Sequence, residues 1–366
     1  MRDASPSRSP RLAAFVSPHG FGHAARVSAV LAALAERVPG LAIELYTTVP
    51  EWFFAESLAV PFTRHEVVCD VGLVQADALD EDPVATRAAL ARFWPFADDD
   101  VARLAAELHA RGCSAVLADI SPLGLAVGRA AALPTVLVEN FTWDWIYRAY
   151  LDIEPGLAPF ADAFAALFGG ADLRCRAAPA CGEAPGIAVG PIARRPRTTP
   201  AATRARLGVG ASQPLVVVSL GGIPWRFADF DRWRAVDDTV FVVPGGAERE
   251  RWQGPLRLLP HHTPVYHPDL VAAADVVVGK LGYSTVAEAV AAGARYLWLP
   301  RPRFRESPVL AAILEARVPT GAITRAELES GAWVAMLPAL LARPKPAGLL
   351  ATGADEVAAR LAELLR

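Results

Sequence analysis

The chain has 366 residues, of which 53% are hydrophobic and 20% charged. Such a chain buries a large core and is not disordered, and its length suits two α/β domains. A formal net charge of −3 argues against a protein that grips a phosphate backbone, so no nucleic-acid partner is expected. The four cysteines, Cys69, Cys113, Cys175 and Cys181, form no CxxC pair, which signals neither a zinc site nor a disulfide framework. Residues 1–10 are polar, lack the apolar stretch of a secretory signal and read as a disordered tail. Charges, prolines or glycines interrupt every apolar run before about 18 residues, so no transmembrane segment is expected. The expectation is a soluble, cytoplasmic protein, with peripheral membrane contact left open.

In chain order, RLAAFVSP (11–18) reads as a strand running into the glycine turn His19-Gly20-Phe21-Gly22-His23. Apolar residues at helical spacing follow over 24–38. LAIELYTTV (41–49) is a strand, and a helical stretch covers 83–111. CSAVLADI (113–120) is a buried strand, PLGLAVGRAAAL (122–133) a helix and PTVLVEN (134–140) another strand. Alternation of this kind builds a doubly wound parallel sheet with ligands beyond the carboxyl ends of its strands. Residues 190–214 are rich in Pro, Arg and Thr, which places a linker at 193–213 between domains 11–192 and 214–350. The alternation restarts with PLVVVSLGG (214–222), TVFVVPGG (239–246), ADVVVGKLGYSTVAEAVAAG (274–293) and ARYLWLP (294–300). Residues 351–366 form an amphipathic C-terminal helix placed to pack back on the first domain. The architecture expected is two Rossmann-like domains facing across a cleft.

Several turns carry residues suited to chemistry. His19, Gly20, Gly22, His23 and Arg26 lie at a strand-to-helix turn, where glycines admit a ligand and histidine is a natural base near neutral pH. Packing or helix capping is the plainer role for either histidine. Asp119 ends a buried strand and is placed to orient a histidine, although capping of the helix at Pro122 is an equal alternative. Lys280, Gly282, Ser284, Thr285 and Glu288 follow another buried strand. Their turn amides and hydroxyls suit a diphosphate at a helix N-terminus, and Glu288 suits ribose hydroxyls; an ordinary turn with an exposed glutamate is the alternative. Neither GxGxxG nor a Walker loop is present. Gly221 and Gly222 form one more close-approach turn. Asn140, Trp143, Asp144 and Trp145 combine amide, carboxylate and indole groups of the kind that bind sugars, though tryptophans more often simply pack. Arginines after residue 300 suit phosphate or a solvated loop.

These segments resemble known proteins. GKLGYSTVAEAVAAG and HGFGHAARVSAV resemble the donor-binding turn and N-terminal glycine loop of GT-B glycosyltransferases, including the N-acetylglucosaminyltransferase that completes lipid II. HGFGHAAR, DVGLVQADALDED, NFTWDWIY, GKLGYSTVAEA and RPRFRESPVL resemble, in the same order over 15–310, the GT-B-like N-terminal half of plant L-arabinokinases. The resemblance implies that His23 is a general base supported by Asp119. It implies that Gly221, Gly222, Ser284 and Thr285 meet the donor diphosphate and that Glu288 holds the ribose. It further implies that Tyr266 and His267 meet the nucleotide base, and that Arg303 and Glu306 face the donor sugar. These 366 residues hold no counterpart of the arabinokinases' sugar-kinase domain, so arabinose phosphorylation is not expected. The expected activity is inverting transfer from a nucleotide-diphosphate sugar, most simply a UDP-sugar, to an acceptor hydroxyl, without metal or other cofactor. A nucleotide-sugar sensor and a UDP-sugar 2-epimerase are the alternatives.

Overall fold

The computed structural model describes residues 9–77, 79–221, 231–234, 236 and 238–365. The N-terminal half holds β1 (Arg11–Val16), β2 (Ala42–Tyr46), β3 (Phe62–His65), β4 (Ala115–Asp119), β5 (Thr135–Glu139), β6 (Leu173–Ala177) and β7 (Ile187–Val189). They form one sheet in the order β3-β2-β1-β4-β5-β6-β7, with every pair parallel. The C-terminal half holds β8 (Leu215–Ser219), β9 (Val240–Pro244), β10 (Arg251–Gln253), β11 (Leu256–Leu259), β12 (Val276–Lys280), β13 (Arg295–Leu299) and β14 (Thr320–Ala322). Their order is β10-β11-β9-β8-β12-β13-β14, and only the β10–β11 pair is antiparallel.

Helices cover both faces of each sheet, so the central strands are apolar almost without interruption: β4, β5 and β8 are buried at all positions. Strand order reverses between β1 and β4 in one half and between β8 and β12 in the other. The crevice beyond the strand ends at such a reversal is where a doubly wound sheet binds ligands. The two crevices face each other. Gly20 and Gly221, at φ of 72° and 76°, let the two glycine turns approach: a Cβ on Gly20 would lie 3.7 Å from the Gly221 carbonyl oxygen.

Two features depart from the simple strand–helix reading. The helical stretch 83–111 is two helices, Pro83–Phe93 and Asp98–Arg111, separated at Trp94-Pro95 because proline removes a donor and restricts the residue before it. The segment read as a linker contains the helix Pro200–Arg206 and a buried Arg194. The C-terminal helix Gly353–Leu364 buries Val357, Ala358 and Leu361 against the helix Phe21–Arg37, with Asp355 3.3 Å from Arg37. Among the described residues, no helix is long and apolar enough to cross a membrane.

Candidate active site

The helix Phe21–Arg37 begins at Gly20, which offers no side-chain cap, so its first turn opens onto the cleft. Within that first turn, His23 places Nδ1 2.7 Å from Oδ1 of Asp119, the last residue of β4. Both are buried. Arg26, one further turn along, clamps the same carboxylate with Nε and Nη2, each at 2.7 Å. It also donates from Nη1 to Asn140 Oδ1 at 2.5 Å, and Asn140 donates in turn to Glu306 Oε1 at 2.5 Å. Thus Arg26, which the sequence placed only in the cleft, is the ion-pair partner of Asp119.

Burial favours the neutral acid at Asp119, but the Arg26 guanidinium and His23 outweigh it and hold the carboxyl below its ordinary range. Burial pulls His23 below the ordinary histidine value, Asp119 opposes this, and Arg26 adds to it. An ionised Asp119 accepts from Nδ1–H, which leaves the Nε2 lone pair of neutral His23 as a base. Behind the pair stands Trp143, fully buried, its ring centre 6.0 Å from that of His23 and 5.0 Å from that of His19. The indole donates to Asp70 at 2.5 Å, and Ser17 donates to the same carboxyl at 2.6 Å. Burial raises Asp70 to about 7 against those hydrogen bonds. Trp143 is a supporting wall, and Asp70 behind it opens the segment DVGLVQADALDED, to which the sequence assigned no role at the site.

Two chambers meet at the glycine turns. The first, of about 940 Å³ and open to solvent, lies over the ends of β8 and β9. Phe21, Trp52 and Phe53 of the N-terminal half form its outer wall; Phe21 stacks on Phe53 at 4.7 Å, and Trp52 stacks at 4.8 Å on His262 of the C-terminal half. Its floor carries a chain of polar groups. Arg194 Nε donates to Glu288 Oε1 at 2.9 Å, His267 Nδ1 lies 3.0 Å from Oε2, and His267 Nε2 lies 3.2 Å from Ser219 Oγ. Burial opposes ionisation of Glu288, but Arg194 and His267 together lower its pKa. The carboxylate therefore accepts Nδ1–H, Nε2 accepts the Ser219 hydroxyl proton, and the Ser219 oxygen is left as an acceptor.

The second chamber, of about 630 Å³, contains His19, His23, Lys280, Arg301, Asn140 and Glu306. Phe21, Gly22, Gly221, Ser284 and Thr285 belong to both chambers. Gly282 begins the helix Tyr283–Ala292 without a side-chain cap, so the backbone N–H groups of that helix end are available at this junction. Ser284 Oγ donates across the cleft to the Gly22 carbonyl at 2.7 Å. Burial, with Arg301 nearby, lowers Lys280 to about 7, and burial raises Glu306 to about 7 despite its bond from Asn140. Burial likewise drives His19 well down, reinforced by Arg301, His23 and Lys280.

Some candidate residues fall elsewhere. Tyr266, expected to stack on a base, does not line the first chamber. Its ring lies under the guanidinium groups of Arg194 and Arg197 at 5.2 and 4.6 Å, and its hydroxyl is 3.1 Å from Ser57 Oγ. His261, Thr263 and Val265 form that wall instead. Arg303, expected beside the sugar, is exposed and 3.4 Å from Asp152, because the turn after β13 faces it outward. Arg301, two residues earlier, is buried in the second chamber and paired with Glu81. Asp144 and Trp145 line neither chamber; Trp145 lies beneath Arg305 at 4.2 Å. Gly222 lies outside the described residues. The sequence carries no functional signal for Arg194, which sits in the segment read as a linker, or for Ser219, which ends an apolar strand.

Paired doubly wound sheets whose strand-order reversals face one another define the GT-B fold, and this chain has it. No family model matches the sequence. L-arabinokinase from Arabidopsis thaliana is 27% identical over 333 residues, 88% of this chain. The chain spans only 31% of the length of that relative. Among solved structures, MurG of Acinetobacter baumannii superposes with a TM-score of 0.55 at 15% identity, covering 97% of this chain and 99% of its own. The glycosyltransferase of kitacinnamycin reaches 0.60 at 15% identity, with 98% and 95% covered. The glycosyltransferase VinC, solved in complex with DTDP, reaches 0.58 at 16% identity, with 97% and 95% covered.

Proposed function

We propose that this protein is a glycosyltransferase that moves a sugar from a nucleotide-diphosphate donor, most simply a UDP-sugar, to an acceptor hydroxyl with inversion. One observation carries the reading: two chambers share a wall made of both glycine turns and a helix N-terminus, and His23 lies in only one of them. The nucleoside occupies the first chamber, with its ribose hydroxyls against Glu288 and Ser219. The diphosphate lies at the shared wall, met by helix amides, Thr285 and Lys280; these groups neutralise the departing diphosphate in the role a divalent ion would otherwise fill. The sugar occupies the second chamber.

His23 Nε2 takes the acceptor hydroxyl proton while that oxygen bonds to the anomeric carbon. The bond from that carbon to the diphosphate breaks, and the nucleoside diphosphate leaves with its electron pair. Asp119 stabilises the imidazolium that forms, and Arg26 keeps Asp119 ionised and in place. A thermal-shift series with UDP, ADP, GDP and NAD, followed by acceptor-dependent release of UDP, tests the proposal. UDP should protect most; the expected stabilisation is about 2.7 kcal/mol at a hundredfold excess over its Kd. Stronger protection by NAD would refute the donor class. UDP binding without turnover on any acceptor would leave a sensor, and release of UDP without acceptor would indicate the epimerase chemistry.

A further inference from the structure

The segment DVGLVQADALDED, spanning 70–82, has no part in the chemistry above beyond Asp70. It is nevertheless tied to the C-terminal half by both apolar and ionic contacts. Gln75 bridges Glu81 in antiparallel fashion, Ala76 N–H donates to the Asp80 carbonyl at 2.9 Å, and Asp82 N–H donates to the Val74 carbonyl at 2.8 Å. The result is a small hairpin. Leu79 leaves the N-terminal core altogether and is buried in the hydrophobic cluster of the C-terminal sheet, among Val218, Leu220 and Leu299. Glu81 forms a buried ion pair with Arg301, the Nε contact measuring 2.9 Å. Arg325 pairs with Asp77 and, at 2.5 Å, with Asp80.

This anchoring sets Gln75 in the wall of the second chamber, alongside Lys280, Arg301 and Glu306. Its carboxamide nitrogen is buried and has no hydrogen-bond partner among the described residues. Leaving such a donor unpaired is costly, and a ligand oxygen relieves the cost. Asn140 is the other carboxamide of this chamber; its oxygen accepts from Arg26 and its nitrogen donates to Glu306. We infer that Gln75 is a specificity-determining residue for the transferred sugar. Its amide donates to a sugar hydroxyl, and the Glu81–Arg301 and Arg325 contacts hold it at that position. The inference rests on the reading of the second chamber as the sugar site.

The experiment compares two affinities in the 366-residue chain by calorimetry. One is for UDP; the other is for the member of a UDP-sugar panel (glucose, galactose, N-acetylglucosamine, xylose, arabinose, glucuronate) that protects the parent most. In the parent, the sugar should add affinity over UDP alone. Gln75→Ala should keep the UDP affinity and lose about two- to tenfold of the sugar's increment, the range of one hydrogen bond. Gln75→Asn, which shortens the reach, should lose as much. Arg325→Ala should produce the same selective loss by releasing the anchor, whereas Glu329→Ala, which removes only an exposed helix-surface partner of Arg325, should not. An unchanged sugar increment in Gln75→Ala with parental UDP affinity overturns the inference while leaving the proposed function intact. An effect on the acceptor KM alone also overturns it, because Gln75 would then read the acceptor. Absence of UDP binding by the parent overturns the reading on which the inference rests.

Discussion

Asp119→Asn separates the two roles assigned to that carboxylate. Oδ1 accepts from His23 Nδ1 and from Arg26 Nη2, and Oδ2 accepts from Arg26 Nε. An amide of the same shape cannot satisfy all three donors. If its oxygen stays on Oδ1's side, the NH2 group opposes Arg26 Nε. If it flips, the NH2 group opposes both Arg26 Nη2 and His23 Nδ1, and the imidazole must then carry its proton on Nε2, where it is no base. Either orientation leaves a guanidinium that is 2% exposed without its countercharge. Breaking a buried pair from one side costs about 3–5 kcal/mol. The substitution should therefore lower stability by about that amount and lower kcat by about 10²–10⁴. Chemical denaturation reads the first effect and acceptor-dependent UDP release the second. His23→Ala is the necessary companion, because it leaves Asp119 paired with Arg26; it should reproduce the rate loss without the stability loss. An Asp119→Asn protein with parental stability and turnover would show that the carboxylate neither balances Arg26 nor sets the histidine tautomer.

His23→Ala should also retain UDP affinity, since His23 lines the second chamber and not the first; a weakened UDP isotherm would contradict that division. Because burial lowers the His23 pKa, the acid limb of the parent pH–rate profile should fall below the ordinary histidine value of about 6.5. Activity is lost as pH drops through that limb, and the limb should vanish in His23→Ala. Glu288→Ala should weaken UDP binding by about 1–3 kcal/mol through unpaired ribose hydroxyls. It should in addition destabilise the fold by about 3–5 kcal/mol, because Arg194 is buried against it; parental Tm would mean the pair is not structural. Chelation with EDTA should leave turnover unchanged, and loss restored by Mg²⁺ or Mn²⁺ would assign the diphosphate charge to a metal.

Much of this protein follows from local pattern. Continuous apolar runs such as AVLAD and VVVGK mark strands buried on both faces, and glycine turns after them mark the places where backbone must approach closely. These features sufficed for the alternating order, the two sheets and the resemblance to GT-B proteins, because each depends on neighbours a few residues apart. The short strands at or next to the sheet edges, β3, β6, β7, β10, β11 and β14, were not legible, since a peripheral strand is defined by pairing with a distant segment and needs little apolar character of its own. The same limit governed the site. His23 and Asp119 stand at the ends of β1's turn and of β4, so strand-end logic reached them. Only the assembled fold put Arg26 on Asp119 and Arg194 on Glu288. It also turned Tyr266 and Arg303 away while bringing Arg301 inward. A strand's carboxyl end can be read from sequence, but the partner that balances a buried charge is chosen by three-dimensional proximity between segments about 90 residues apart. No local pattern encodes that choice.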